Sequence, residues 1–357
     1  MAIDLSGLPQ AIQHKAVELS ASIEFARCIE KGANGHVLIG TNRILDRPVV
    51  VKFYYWGGGD HAEPAHLAAL ESDYILKVFD AAAINAEDAY FMAPFCERGD
   101  LDDALEARKF GPLQAIDIIL QVASGVSYLH GSGYLHRDLK PSNIFCAADN
   151  RYLIGDFGSV VVQNDEGYAQ TLTKHSLLYR PPEELALRRS FRQGDIYQLG
   201  MVLFQLLGGK LHYDERAWLT PKQQKKYDGK MGFEQQFYAT EIIESKISKG
   251  KLIDFSSLPA WTPTSLIKII RKCCALDYTK RHSTAADFCA DLNNLRSKMP
   301  DWRIGPDVIL HRPKKQVRIL DGPKGLLIEK RVRGDWRAER QLKPSDWNEA
   351  VGMAETL

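Results

Sequence analysis

Hydrophobic positions change their spacing three times along the chain. Over residues 1–22 apolar groups recur at helical intervals (Leu5, Leu8, Ile12, Val17 and Leu19), which predicts a short helical lead-in. From Ile23 to residue 95 the pattern becomes short β-branched runs such as Val37-Leu38-Ile39 and Val49-Val50-Val51, with one helical stretch near 61–71. That predicts a small sheet with one helix. From Leu101 to Met299 the runs lengthen and take the 3.6-residue period, as in 113–130 and 195–207, so this part is predicted to be mostly α-helical. Residues 300–357 return to strand-like runs. Val317–Leu320 and Leu326–Ile328 flank Asp321-Gly322-Pro323-Lys324-Gly325, which predicts a β-hairpin in a C-terminal extension. No internal repeat interrupts this order.

A length of 357 residues suits two or three packed lobes, and 45% hydrophobic with 10% aromatic residues is enough to build their cores. Lys plus Arg (46) against Asp plus Glu (45) leaves a net charge of +1, so no global field draws the chain to nucleic acid or an anionic membrane. The six cysteines show no metal-ligand spacing and fit reduced thiols. Residues 1–10 hold no basic stretch followed by an apolar one, and no run of about 18 apolar residues occurs. The expectation is a cytoplasmic protein that makes no use of a membrane.

The most informative segment is His136-Arg137-Asp138-Leu139-Lys140-Pro141-Ser142-Asn143, followed thirteen residues after Asn143 by Asp156-Phe157-Gly158. An acid, a lysine two residues on and an amide three further can face one point from a loop, while a turn delivers the second acid. Together they resemble the catalytic loop and metal-binding turn of eukaryotic-like (Hanks-type) serine/threonine protein kinases. The resemblance covers residues 23–298. It implies an α+β bilobal fold: a β-rich N-lobe with one helix at 23–95, a helical C-lobe at 96–299, and a 300–357 extension outside the family pattern. It also implies that Asp138 accepts or orients the proton of the attacking hydroxyl, that Lys140 sits beside the transferred phosphoryl group, and that Asn143 and Asp156 hold Mg²⁺.

The same resemblance extends upstream. Ile29, Gly32, Gly35 and Val37 match the glycine-rich loop over the phosphates of ATP, where backbone must approach closely. Lys52, ending Val49-Val50-Val51, matches the strand lysine that binds the α and β phosphates. Of its candidate helix partners, Glu63 and Glu71, Glu63 is preferred because Leu67 and Leu70 follow at i+4 and i+7. Residues 90–101 resemble the hinge. Backbone groups of Pro94 and Cys96 would meet the adenine, Asp100 the ribose, and Ala93 would be the gatekeeper, with Val50 lying over the ring. Tyr179-Arg180-Pro181-Pro182-Glu183 looks like the end of an activation segment, with Glu183 paired to Arg281 and Asp195 holding the catalytic-loop backbone.

Lys140 points to serine/threonine rather than tyrosine specificity, and Ser176 falls where such kinases place a hydroxyl near the catalytic pair. Arg137 resembles the arginine of kinases controlled by activation-segment phosphorylation, with Thr171 and Thr173 as candidate sites. The implied activity is ATP- and Mg²⁺-dependent phosphorylation of protein serine or threonine, including the kinase itself. Departures at Glu30, Val50 and Pro181 keep open a binding scaffold without catalysis. Eleven Lys/Arg against four Asp/Glu between Arg312 and Lys343, with Trp336 among them, keep open a tail that binds an acidic partner or nucleic acid.

Overall fold

The computed structural model describes residues 3–29, 35–56, 68, 70–170, 176–323 and 325–357. Helix α1 (Gln10–Leu19) precedes an antiparallel sheet of β1 (Ile23–Ile29), β2 (His36–Asn42), β3 (Arg47–Tyr55), β4 (Asp80–Ala83) and β5 (Asp88–Pro94) in the order β1-β2-β3-β5-β4. Alternation along the strands gives this sheet two working faces. Leu38, Val49, Val51, Phe53, Tyr90 and Met92 are buried together with Leu8, Ile12 and Ala16 of the lead-in. Each such aliphatic side chain contributes roughly 1.5–3 kcal/mol on burial. The lead-in is therefore part of the N-lobe core rather than a separate segment. Its docking stripe is Leu8, Ile12 and Ala16, while Val17 is 64% exposed. The helix expected near 61–71 lies almost wholly outside the described residues.

The C-lobe holds α2 (Leu101–Ala107), α3 (Pro112–Gly131), α4 (Pro182–Leu187), α5 (Arg192–Leu206), α6 (Pro221–Asp228), α7 (Phe233–Ser248), α8 (Thr264–Cys273) and α9 (Ala285–Arg296). Three short strand pairs are inserted among them. They are β6 (Tyr134–Leu135) with β9 (Val161–Val162), β7 (Ile144–Cys146) with β8 (Tyr152–Ile154), and β10 (Tyr168–Gln170) with β11 (Arg189–Phe191). Helix α3 begins with Pro112 at its first position and buries Ile116, Ile119, Val122, Val126 and Leu129. These join Leu199, Val202 and Leu203 of α5 and Leu266 and Ile270 of α8 in one core, which reaches the other face of the N-lobe sheet at Phe91 and Ala93.

The extension holds the expected hairpin inside a larger unit. Its five strands, β12 (Asp301–Ile304), β13 (Val308–Arg312), β14 (Lys315–Gly322), β15 (Gly325–Arg331) and β16 (Arg337–Ala338), form an antiparallel meander, and α10 (Trp347–Thr356) packs on one face. The expected hairpin is the β14–β15 pair at its centre, closed by Gly322 opposite Gly325. Strands β12 and β16 are short and carry charged residues, so no apolar run marks them, whereas β13 does carry one, Val308-Ile309-Leu310, which the hairpin reading left out. Trp302 is fully buried and donates from Nε1 to Glu355 at 2.9 Å. Trp347 meets Trp261 of the C-lobe edge-on, with ring centroids 5.9 Å apart. A Cβ at Gly111, just before α3, would lie 1.6 Å from the Trp302 carbonyl oxygen, so β12 rests backbone-to-backbone on the start of that helix.

Candidate active site

The catalytic loop runs between β6 and β7, and its shape is imposed from below by α5. Asp195 is 1% exposed. Its Oδ2 accepts from the His136 N–H at 2.9 Å, its Oδ1 accepts from the Arg137 N–H at 2.7 Å, and its Oδ2 also meets His130 Nε2 at 2.7 Å. Burial alone would push this carboxyl up, but the His130 hydrogen bond, the electrostatic effect of the neighbouring His130 and His136 rings and the Arg137 amide outweigh it and hold Asp195 below the usual carboxylate range.

One turn further along α5, Gln198 accepts from the Leu139 N–H at 2.8 Å and donates to the carbonyls of Arg137 at 2.7 Å and Tyr179 at 3.2 Å. Gln198 was not among the residues singled out from sequence. Its signal is a buried amide three residues after a buried acid on one helix. His136 accepts the Asp138 N–H on Nδ1 at 3.3 Å, so its Nε2 is the nitrogen that donates to the Gly155 carbonyl at 3.0 Å. The catalytic loop is thereby tied to the turn that carries Asp156.

Two non-glycine residues of this assembly sit in left-handed backbone, Arg137 at φ 71° and Asp156 at φ 58°. Such positions cost on the order of 1–3 kcal/mol and persist where surrounding bonds over-determine them. Asp195 and Gln198 supply those bonds at Arg137.

The polar groups singled out from sequence converge. Asp138 Oδ2 accepts from Lys140 Nζ at 2.8 Å and Asn143 Nδ2 at 3.0 Å, and Lys140 Nζ also donates to Ser176 Oγ at 2.6 Å. Asn143 Nδ2 donates to the Asp138 carbonyl at 2.7 Å as well. Across the cleft, Lys52 on β3 forms an ion pair with Asp156 Oδ1. Tyr54, buried beside this turn, has its hydroxyl pKa pushed upward by burial and then by the Asp156 charge.

Above these groups, cross-strand registers place Ile29, Val37, Lys52 and Phe91 in one row and Ile39, Val50 and Ala93 in the next. Val37, Val50 and Lys52 are half-buried, whereas Leu38, Val49 and Val51 between them are buried, so the first set faces the cleft. Pro94 ends β5, and Cys96 two residues on has its thiol pushed up to about 11 by burial, which keeps it neutral. Asp100 caps α2, accepting from the Asp103 N–H at 3.0 Å. Gly35, at φ 130°, has no room for a side chain: a Cβ would lie 1.9 Å from the Phe53 carbonyl oxygen.

Gly32, Glu63, Thr171 and Thr173 lie outside the described residues, as does Glu30. Glu71 is exposed, and its N–H donates to the Tyr128 hydroxyl at 3.1 Å. Glu183 and Arg281 form a bidentate pair, both contacts 2.7 Å, at 3% and 0% side-chain exposure. Arg137 is buried, and its guanidinium donates to the Ser159 carbonyl at 3.4 Å. Nearby Glu184, bonded to Ser190 Oγ at 2.6 Å, is pushed up to about 7 by burial, against the opposing effects of Ser190 and the Arg137 charge.

Asn143 and Asp156 fit Mg²⁺ by the chemistry of their donors. Asn143 commits its amide nitrogen to Asp138, which leaves its oxygen as the donor, and Asp156 adds a carboxylate. Among the described residues no group of three His, Cys, Asp or Glu could hold a metal by protein ligands alone. The donors of Asn143 and Asp156 fit a hard cation held by one carboxylate, one amide oxygen and substrate phosphates.

Comparison with known proteins agrees with this cleft. The chain is 31% identical over 155 residues to the mouse interferon-induced, double-stranded RNA-activated protein kinase, covering 43% of this chain and 28% of that protein. It is 25% identical over 287 residues to serine/threonine-protein kinase PrkC of Bacillus subtilis, covering 77% and 40%. It is 36% identical over 121 residues to serine/threonine-protein kinase PknJ of Mycobacterium tuberculosis, covering 32% and 20%. The chain thus spans well under half the length of these curated relatives. The family model described as the protein kinase domain matches residues 23–291, and that span contains the whole Asp138–Asp156 cleft: the chain belongs to the eukaryotic-like protein kinase family.

Proposed function

We propose that this protein transfers the γ-phosphoryl group of ATP to serine or threonine hydroxyls of proteins, with Mg²⁺ as its metal. The observation that carries the reading is the contact of Lys140 with both Asp138 Oδ2 and the Ser176 hydroxyl. It puts an alcohol, a carboxylate base and an ammonium in one small volume. Asp138 accepts or orients the proton of the attacking hydroxyl, and its Oδ2 is held for that task by Lys140 and Asn143. Lys140 offsets charge on the phosphoryl oxygens in flight. Lys52 serves the α and β phosphates once its pairing with Asp156 is shared with nucleotide, with Glu63 as its helix partner.

Ile29, Gly32, Gly35, Val37 and Val50 cover the nucleotide, Pro94 and Cys96 meet the adenine through backbone, and Asp100 reaches the ribose. Asn143 and Asp156 would hold Mg²⁺, which neutralises phosphate charge when bound. Thr171, Thr173 and Ser176 are candidate sites of self-phosphorylation, with Arg137 as the candidate phosphate partner. Catalysis then comes from positioning and charge neutralisation rather than covalent chemistry.

A cytoplasmic setting is part of the same reading. None of the six cysteines forms a disulfide. Among the described residues no helix is long and apolar enough to cross a membrane.

The test is incubation of the purified chain with γ-labelled ATP and Mg²⁺, alone and with a serine/threonine peptide library. Label on serine or threonine that disappears with EDTA supports the reading. Label absent from the chain and from every peptide at all Mg²⁺ concentrations would overturn it.

A further inference from the structure

Of the eleven cations between Arg312 and Lys343, seven fall into two populations in the folded extension. Arg318 is neutralised by Asp307 at 3.0 Å and Glu329 at 2.6 Å, and Lys330 by Glu339 at 2.9 Å. These fasten the sheet. Arg312, Lys314, Lys315, Arg331 and Arg333 instead converge on one open groove of about 430 Å³ at the end where the β13–β14 turn lies beside the exit of β15. No Asp or Glu lines this groove, and among the described residues none of its five cations has an ion pair.

The arrangement carries a cost inside the sheet. Arg312 and Lys315 are direct cross-strand partners, a like-charge pairing that destabilises a ladder. Arg312 is held in place by donating to the Glu355 carbonyl at the end of α10, and Arg331 by donating to Gln316 Oε1 and lying 4.5 Å from the Trp336 ring centroid. Two guanidinium groups are thus oriented and three flexible or turn-borne cations surround them, while the charge stays uncompensated. An anion with several charged oxygens would relieve the repulsion and match the guanidinium fork.

We propose that this groove binds the phosphate backbone of nucleic acid, without reading its sequence. Two observations favour phosphates over an acidic protein. The only apolar side chains lining the groove are Pro313 and Val332, so it has no aromatic or large aliphatic pocket to anchor a protein. The one amide lining it, Gln316, is spent inside the sheet rather than offered to a base edge, its Oε1 accepting from Arg331 and its Nε2 meeting His311 Nδ1 at 3.2 Å. The inference stands apart from the phosphoryl-transfer reading, so failure of either leaves the other in place.

The test uses the full-length chain and labelled probes of equal length: a 20-base-pair DNA duplex, the matching RNA duplex and a single strand, with poly-glutamate and phosphatidylserine vesicles alongside. At physiological salt the chain should bind at least one nucleic-acid probe with a Kd of about 10⁻⁶–10⁻⁴ M, weakening linearly in log–log salt plots. Replacing Lys314, Lys315 and Arg333 by alanine should weaken binding roughly tenfold or more and lower the salt slope by about 2–3. Removing the same charge at Lys222, Lys225 and Lys226 of α6 should leave affinity within about twofold. A melting temperature that does not fall in either variant establishes that the fold is intact. Equal loss in the two variants, salt-independent binding, no nucleic-acid binding, or tighter binding to poly-glutamate or to the vesicles would each overturn the proposal. The DNA, RNA and single-strand arms identify which phosphate backbone is taken.

Discussion

The catalytic cleft and the outer end of the C-terminal sheet treat charge in opposite ways. In the cleft each ionic group is held against a partner: Asp195 against His130, Lys140 against Asp138, Lys52 against Asp156, and below them Glu183 against Arg281. In the extension five cations line a groove without one carboxylate. Charges taken out of water cost several kcal/mol unless paired, so the cleft spends its polar groups on fixed geometry. Charges left in water cost little, so the extension can keep a surplus free. The first region should respond to substitution through stability and turnover and little to salt, the second through salt-dependent association and little through stability.

Predictions that sharpen this contrast begin with the largest effect. Asp138→Asn should lower kcat by about 10²–10⁴-fold with little change in melting temperature. Steady-state peptide phosphorylation checks this, and wild-type turnover would remove Asp138 from the chemistry. Arg281→Met should destabilise the fold by about 3–5 kcal/mol by leaving Glu183 buried and unpaired, measured by urea unfolding. A loss below about 1 kcal/mol would place that pair with the exposed ones.

Glu184 gives a pH signature. Its folded value is raised from 4.5 to about 7, so between those values the native state keeps a proton that the unfolded chain releases. Stability is greatest from this group at low pH and falls by about 3 kcal/mol as pH rises through 7. Glu184→Gln should flatten the melting temperature against pH between about 5 and 7, and an unaltered slope would exclude Glu184 as its source. At the small end, Arg303→Ala removes an exposed pair with Asp301 and should change stability by less than about 1 kcal/mol.

The candidate site was legible because the resemblance rests on particular side chains at fixed intervals, and Asp138, Lys140 and Asn143 do contact one another, with Asp156 paired to Lys52. The supports behind them were less so. The resemblance pointed to Asp195, but Gln198 carries no charge and no motif, and only the folded contacts show that it holds Leu139 and Arg137. The lead-in helix was visible but its docking was not, because Ala16 at its contact is too small to register as an apolar anchor. The extension was read as one hairpin because β12 and β16 are short and carry Arg303 and Arg337 beside few apolar residues, while the apolar run Val308–Leu310 of β13 was passed over. Its charge excess was legible as a count, while the division into neutralised and free cations required the registers of β13, β14 and β15.

The contact between Gly111 and the Trp302 carbonyl reaches beyond packing. Ala260 and Trp261 of the C-lobe share a core with Trp302 and Trp347, so the seam after Met299 runs through a continuous interior rather than along a linker. Calorimetry of the intact protein should therefore record the C-lobe and extension melting in a single endotherm, and a protease should find no quiet site between them. A change at Gly111 that spared every catalytic residue would still unseat the sheet, and whatever partner that sheet holds would be lost with it.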